Sequence, residues 1–274
     1  MYDLQKAGMF KRFSAFLFDA ILIAVIAAAL AWLFTVALNF DANLEEYRGY
    51  YTEYEEKYNI KISDMTAEEY EKLSEEEKAI YDAAGKEFSE DQRVIKVYSK
   101  LINKIMITLT FSILIAFVLW EVVIPLILKN GQTLGKKIFG ICLMHVNGVK
   151  VNGVSIFVRT ILGKYTVGTM IPLYMIILIM ANSIGIVGVF VLFAIPILQV
   201  ILMIFTNTNS AIHDALAQTV AVDYASQMIF NSIEEKNEFI RASAEAAASS
   251  SPYFNGSAGQ GQSKPTDQGG NTQG

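Results

Sequence analysis

Long apolar runs alternate with polar blocks along this chain. Apolar residues dominate from Phe13 to Leu38, from Lys104 to Leu128, and from Thr166 to Phe205. About 20 apolar residues cross a bilayer as a helix. The first two runs therefore each predict one crossing. The third is too long for one and fits two, with Ala181-Asn182-Ser183-Ile184-Gly185 supplying the turn between them. The pattern predicts an all-α membrane protein, a four-helix transmembrane bundle with spans at 13–38, 104–128, 166–181 and 184–205. The third of these is short, so its helix is expected to begin ahead of Thr166. The N-terminal Lys6, Lys11 and Arg12 followed by apolar residues imitate a signal peptide. The run is too long for one and contains Asp19, so it reads as an uncleaved first span.

The polar blocks differ in charge. Residues 39–100 hold 17 acidic and 9 basic residues. Residues 129–165 hold six basic residues, Lys129, Lys136, Lys137, Lys150, Arg159 and Lys164, and no acidic one. Lys/Arg bias orients membrane proteins with basic loops in the cytoplasm. Residues 1–12 and 129–165 are accordingly expected inside and 39–103 outside, and an even number of spans returns the C-terminus to the cytoplasm. The expected location is the cell membrane.

Within the outer segment, Thr66-Ala67-Glu68-Glu69 and Ser74-Glu75-Glu76-Glu77 fit capping boxes, and Ser89-Glu90-Asp91-Gln92 fits a third. Tyr47, Tyr51, Tyr54 and Tyr58 recur at helical spacing and predict an aromatic stripe. It reads as packing against neighbouring helices, with a recognition surface for a partner as the alternative. In the basic loop, Ile141–Val146, Asn147-Gly148 and Val149–Val151 predict a small hairpin. Residues 156–165 predict an interfacial helix leading into the third span. The tail, 206–248, is expected to be helical from about Tyr224 to Ala248. Residues 249–274, rich in Gly, Ser, Gln and Asn, are expected to be disordered.

Composition narrows the chemistry. One cysteine, Cys142, permits no internal disulfide and no cysteine-based zinc site, and two histidines, His145 and His213, permit no histidine cluster. Gly131-Gln132-Thr133-Leu134-Gly135-Lys136-Lys137 resembles a phosphate loop, but its glycines are one residue too close and Lys137 stands where Ser or Thr is needed. No protease or hydrolase motif appears. No enzyme activity, cofactor, metal or nucleic-acid partner is expected.

The candidate chemistry is intramembrane. Asp19 lies seven residues beyond Arg12, almost two helical turns, so both share one face and Asp19 sits roughly 10 Å deeper. Counted inward from the same side, Glu121 and Gln199 fall at a similar depth, roughly 6–12 Å from the interface. Thr166 and Thr169 join them at the start of span three. These side chains are expected to face one another in a polar pocket rimmed by Arg12 and Lys129, with Pro125, Pro172 and Pro196 releasing backbone carbonyls near its level. Ionisable groups at such depth serve either as proton or cation sites or as ties between helices. The pocket is compatible with both.

Motifs in order add a resemblance. Arg12, Ala15 and Asp19 open it. Gly131, Thr133, Gly135, Lys136 and Gly140 continue it, Arg159 follows, and His213, Asp214, Thr219 and Val220 close it. This series resembles the RDD family of bacterial integral membrane proteins. Many relatives carry a basic residue just before the His-Asp pair, where this chain has Asn209-Ser210. The resemblance implies a membrane protein acting in transport, with exchange of monovalent cations against protons as one form. The alternative is a non-transporting accessory protein that modulates a membrane partner. Beyond the lipid bilayer, monovalent cations or protons, a homo-oligomeric copy, or a membrane-protein partner are the candidate ligands. An interfacial enzyme using His213 and Asp214 is the remaining reading.

Overall fold

The computed structural model describes residues 4–128, 131–180, 183–206 and 210–249. Four helices are long and apolar enough to cross a membrane: Met9–Ala37, Gln92–Leu128, Gly153–Met180 and Gly185–Phe205. The chain is an all-α membrane protein, with one two-stranded sheet among the described residues. The first span is α1, Met9–Ala37. The acidic block follows as α2 (Phe40–Tyr58), α3 (Ala67–Glu71) and α4 (Glu75–Glu90). The second span is α5 (Gln92–Phe117), a π-helical stretch Val118–Val123, and α6 (Ile124–Leu128). Then come α7 (Leu134–Ile138) and β1 (Ile141–His145). The third span runs through α8 (Gly153–Val158), a second π-helical stretch Arg159–Met170, and α9 (Ile171–Met180). The fourth is α10 (Gly185–Phe205). α11 (Ile212–Leu216), β2 (Thr219–Asp223) and α12 (Ile233–Ser249) complete the chain.

Several boundaries differ from those read off the sequence. α5 begins at Gln92, well before Lys104, because Asp91 caps it by accepting from the Arg93 amide at 2.7 Å. Ser89 lies inside α4 and opens no helix. The other two capping boxes form as expected, at Thr66 with Glu69 and at Ser74 with Glu77. The expected interfacial helix is the first half of the third span, which starts at Gly153, where Asn152 caps it. Of the expected turn between spans three and four, Ala181 and Asn182 lie outside the described residues, as do 250–274 of the tail.

The expected hairpin forms and is joined by a strand from the tail. The Asn147-Gly148 turn forms, with the Gly148 amide donating to the His145 carbonyl at 2.8 Å, and Met144 bridges Lys150. The ladder partner of β1 is nevertheless β2, antiparallel, with Ile141 opposite Asp223 and His145 opposite Thr219. Lys6 bridges Val222 on the other edge, and Ala7 donates to the Ala221 carbonyl at 3.1 Å. The reason is burial on both faces. Ile141, Leu143 and Ala221 pack on one side with Ala7 and Ala15, while Cys142, Met144, Val220 and Val222 pack on the other. A short hairpin buries one face at best, whereas a strand apolar at successive positions needs partners on two. Residues 224–232 form turns and the Phe230 bridge to Val149 where the tail helix is expected to start, so that helix begins at Ile233.

Inside the bundle, Ile23, Ala116, Phe117, Trp120, Tyr165 and Met170 form the core shared by the first three spans. At the far end, the tyrosine stripe packs inward. Tyr47, Tyr51 and Tyr54 ring Phe88 with centroids 4.5–5.9 Å apart. This second core holds α2 and α4 against the start of α5.

Candidate functional site

The polar residues gather at the end of the bundle that carries the sheet. They form three carboxylate centres.

Asp19 is 3% exposed. Its Oδ1 accepts from Trp120 Nε1 and from the Gly135 amide, each at 2.9 Å, and its Oδ2 accepts from the Thr133 hydroxyl. Thr133 is the N-cap of α7, and its Oγ1 accepts from the Lys136 amide at 3.3 Å. The carboxylate therefore sits on the amino end of a short helix, where unpaired amides favour an anion. Gly135 is required there. A Cβ at this position would lie 2.5 Å from the Ala15 carbonyl oxygen and 2.8 Å from the Asp19 carboxylate. Arg12 is not the partner of Asp19.

Glu121 is held between two lysines, Lys136 at 3.4 Å and Lys164 closer still. Its backbone is also satisfied from outside its helix. Pro125, four residues on, has no amide to give the Glu121 carbonyl, and the Thr160 hydroxyl donates to that carbonyl at 3.1 Å. Lys164 reaches Glu121 from the π-helical part of span three. There the Thr166 and Thr169 hydroxyls donate to carbonyls five residues back, Ile161 and Lys164, at 2.8 and 3.0 Å. Those threonines serve their own widened helix and do not enter the carboxylate centres.

Asp214, fully buried on α11, is the third centre. Arg12 donates to Oδ2 at 2.9 Å and Arg159 to Oδ1. Arg159 also donates to the Thr219 hydroxyl at 3.0 Å, and that hydroxyl donates to Asp214 at 3.3 Å. Burial alone would raise the Asp214 pKa. The charges of Arg159 and Arg12 outweigh it and hold the carboxyl well below the ordinary range. His213, whose Nε2 is 3.7 Å from Asp214, is shifted the opposite way to its usual salt-bridge behaviour. Burial, aided by Arg159 and Lys164, drives its pKa well below that of a free histidine, so the ring is neutral at pH 7. Gly163 lets α11 approach span three: a Cβ there would meet the His213 Cβ at 2.3 Å.

Two cavities border these centres. One, of about 590 Å³, lies between the start of α1 and the end of α10 and is lined by Arg12, Asp19, Lys136, Arg159, Lys164 and Gln199, among others. The second, of about 670 Å³, follows the alanine face of α1 from Ala20 to Ala31. Phe16, Asp19, Lys164, Gln199 and His213 line both. Of the residues expected at one depth, Asp19 and Gln199 line both cavities and Glu121 lines the second. Arg12 is at the first cavity but engages Asp214. The other expected rim residue, Lys129, lies outside the described residues, as does Asn209. No cluster of three or more His, Cys, Asp or Glu side chains suited to a metal occurs among the described residues.

Lys164 and Trp120 were not singled out from the sequence. Lys164 lies five residues past Arg159, a spacing that an α-helical count sends to another face and that a π-helix brings round. Trp120 precedes Glu121 within an apolar run, where a tryptophan carries no signal of its own.

The residues that build these centres also carry a family signature, and a sequence model of the RDD family matches residues 6–218. The chain belongs to the RDD family. No curated protein and no solved structure matches it. In this RDD family member the motif residues have distinct tasks. Arg12 and Arg159 bracket Asp214, and Asp19 is seated on Thr133 and Gly135. Lys136 bridges Thr133, at 3.2 Å, to Glu121. Gly131 and Gly140 flank α7 with φ of 62° and 65°.

Proposed function

We propose that this RDD protein is a small multi-pass transporter of the cell membrane, with both termini and the sheet end in the cytoplasm. Its path is the joined pair of cavities, with Asp19, Lys164, Gln199 and His213 at the neck. The observation that carries this reading is the sharing of those side chains between the two cavities. The second cavity alone tracks α1 over about 18 Å at 1.5 Å per residue. Exchange of monovalent cations against protons would use Asp19. It is the carboxylate that lines both cavities, and its direct hydrogen-bond partners are neutral donors, so no bound cation must leave before another arrives. Flux from purified protein in liposomes tests this. Sodium, potassium and proton gradients should each be followed for the wild type beside Ala27→Phe, which fills the second cavity without touching a charge. Flux that Ala27→Phe stops supports the path. A wild type that dissipates none of the three gradients rejects it.

A second reading is a non-transporting partner of another membrane protein. It is favoured by the pairing of Glu121 and Asp214, each held between two cations in the manner of a tie between helices. Crosslinking in native membranes, with and without residues 39–100, tests that alternative. An intact protein that captures no partner counts against it.

A further inference from the structure

The cavity between α1 and α10 carries unbalanced charge. Arg12, Lys136, Arg159 and Lys164 line it, and the one carboxylate among its lining residues, Asp19, already accepts three hydrogen bonds. Counting Glu121 and Asp214 behind the wall, the cluster holds four cations and three carboxylates among the described residues. His213, neutral at pH 7, adds nothing. One positive charge is left in a place largely closed to water, where an uncompensated ion is costly.

Two further observations point to what would offset it. Arg159 is 3% exposed, and its Nε is buried without a hydrogen-bond partner among the described residues. A buried donor of this kind calls for an acceptor. At the mouth, Phe10, Phe13 and Phe16 of α1 stand exposed, Phe10 by 82%, where the helix enters the apolar layer. The site therefore offers a cationic interior and an aromatic entrance open to the side.

We propose that this cavity binds a phosphate group carried by an anionic phospholipid, which enters laterally past Phe10, Phe13 and Phe16. Arginine and lysine supply the donors that phosphate oxygens accept, and basic pockets between spanning helices suit lipid headgroups. One negative charge brings the cluster to neutrality, and the acyl chains cover the phenylalanines. The inference goes beyond transport, since occupancy requires no passage through the bundle.

Thermal unfolding of the delipidated full-length protein in detergent tests it. The probes are short-chain phosphatidylglycerol, phosphatidylcholine with the same chains, and inorganic phosphate. Phosphatidylglycerol well above its dissociation constant should raise the unfolding temperature by about 5 °C, and phosphatidylcholine should do clearly less. A shift from phosphatidylglycerol alone identifies a lipid headgroup. An equal shift from phosphate assigns the same chemistry to the free anion and overturns the lipid assignment. No shift from either, or an equal shift from phosphatidylcholine, overturns the proposal altogether. Lys164→Gln removes the surplus charge and should abolish the phosphatidylglycerol shift. Met203→Glu keeps every buried pair and places a carboxylate on the cavity wall. By supplying the missing negative charge it should hold or raise the basal unfolding temperature and abolish the shift. A full shift retained by Met203→Glu refutes the site even if Lys164→Gln does not fold.

Discussion

Replacing Asp19 by Asn keeps the shape of the side chain and reverses the polarity of half of it. In the wild type, Oδ1 accepts two bonds and Oδ2 one. An asparagine oxygen in the Oδ1 position can still accept from Trp120 and Gly135, but as a neutral acceptor. Bonds to a charged group contribute about 1.5–3 kcal/mol and neutral ones about 1 kcal/mol, so these two weaken by about 1 kcal/mol each. The amide nitrogen then faces Thr133 Oγ1, which must turn from donor to acceptor. That oxygen already accepts from the amide and the ammonium of Lys136, at 3.3 and 3.2 Å. The clash of donors adds about 1 kcal/mol or more. The expected loss is about 3 kcal/mol, or roughly 6–10 °C in unfolding temperature for a chain of this size. Thermal unfolding in detergent measures it. Asp19→Asn and Trp120→Phe should also be coupled by at least about 0.5 kcal/mol in a double-mutant cycle. An Asp19→Asn protein that melts within 2 °C of wild type, with the two changes additive, would refute the seating of Asp19 on Trp120 and α7.

Three further outcomes follow from the same geometry. Gly163→Ala drives a methyl into His213 and should cost about 1–3 kcal/mol, read as a lowered denaturation midpoint; an unchanged midpoint would mean that α11 does not lie against span three. The depressed pKa of His213 makes the unfolded state the better proton binder below pH 6.5. Stability should therefore be full above that pH and fall as pH drops from 6.5 toward 5, by at most about 1.4 kcal/mol per pH unit. The 17% of the side chain still exposed tempers this slope. His213→Gln should flatten the profile, and a slope that persists in that variant assigns it to another group. Cys142 is fully buried and its thiol is pushed up to about 12 by burial, so maleimide at pH 7 should label it only after denaturation.

The spans were legible because crossing a bilayer demands a length of apolar residues, and nothing else in the chain imitates it. Depth was legible for the same reason: counting from the interface brings Asp19 and Gln199 to one level. Partners were not. Asp19 is completed by α7, a five-residue helix whose position depends on packing against α1, and no periodicity encodes that placement. Arg12 meets Asp214 across 202 residues of sequence, a distance at which only the motif gave a hint. The pairing of β1 with β2 is hidden for a similar reason. The Asn-Gly turn is a strong local signal, yet the strand beyond it is decided by two-sided burial. The π-helical stretches shift side chains away from an α-helical count, so Lys164 arrives at Glu121 unannounced.

The pairing of β1 with β2 also bears on how the protein is made. Arg12 leaves the ribosome with the first span, and its counter-ion Asp214 emerges only after all four spans have been made. The strand that ties the N-terminus to the central loop emerges later still. Insertion of the helices and closure of their charged centre are therefore separate stages in time. Until Asp214 is available the carboxylate between Arg12 and Arg159 is missing, and a nascent chain cut short before α11 cannot form that centre. The last part of the family motif acts as a completion check: only a chain translated through it can place a carboxylate between Arg12 and Arg159.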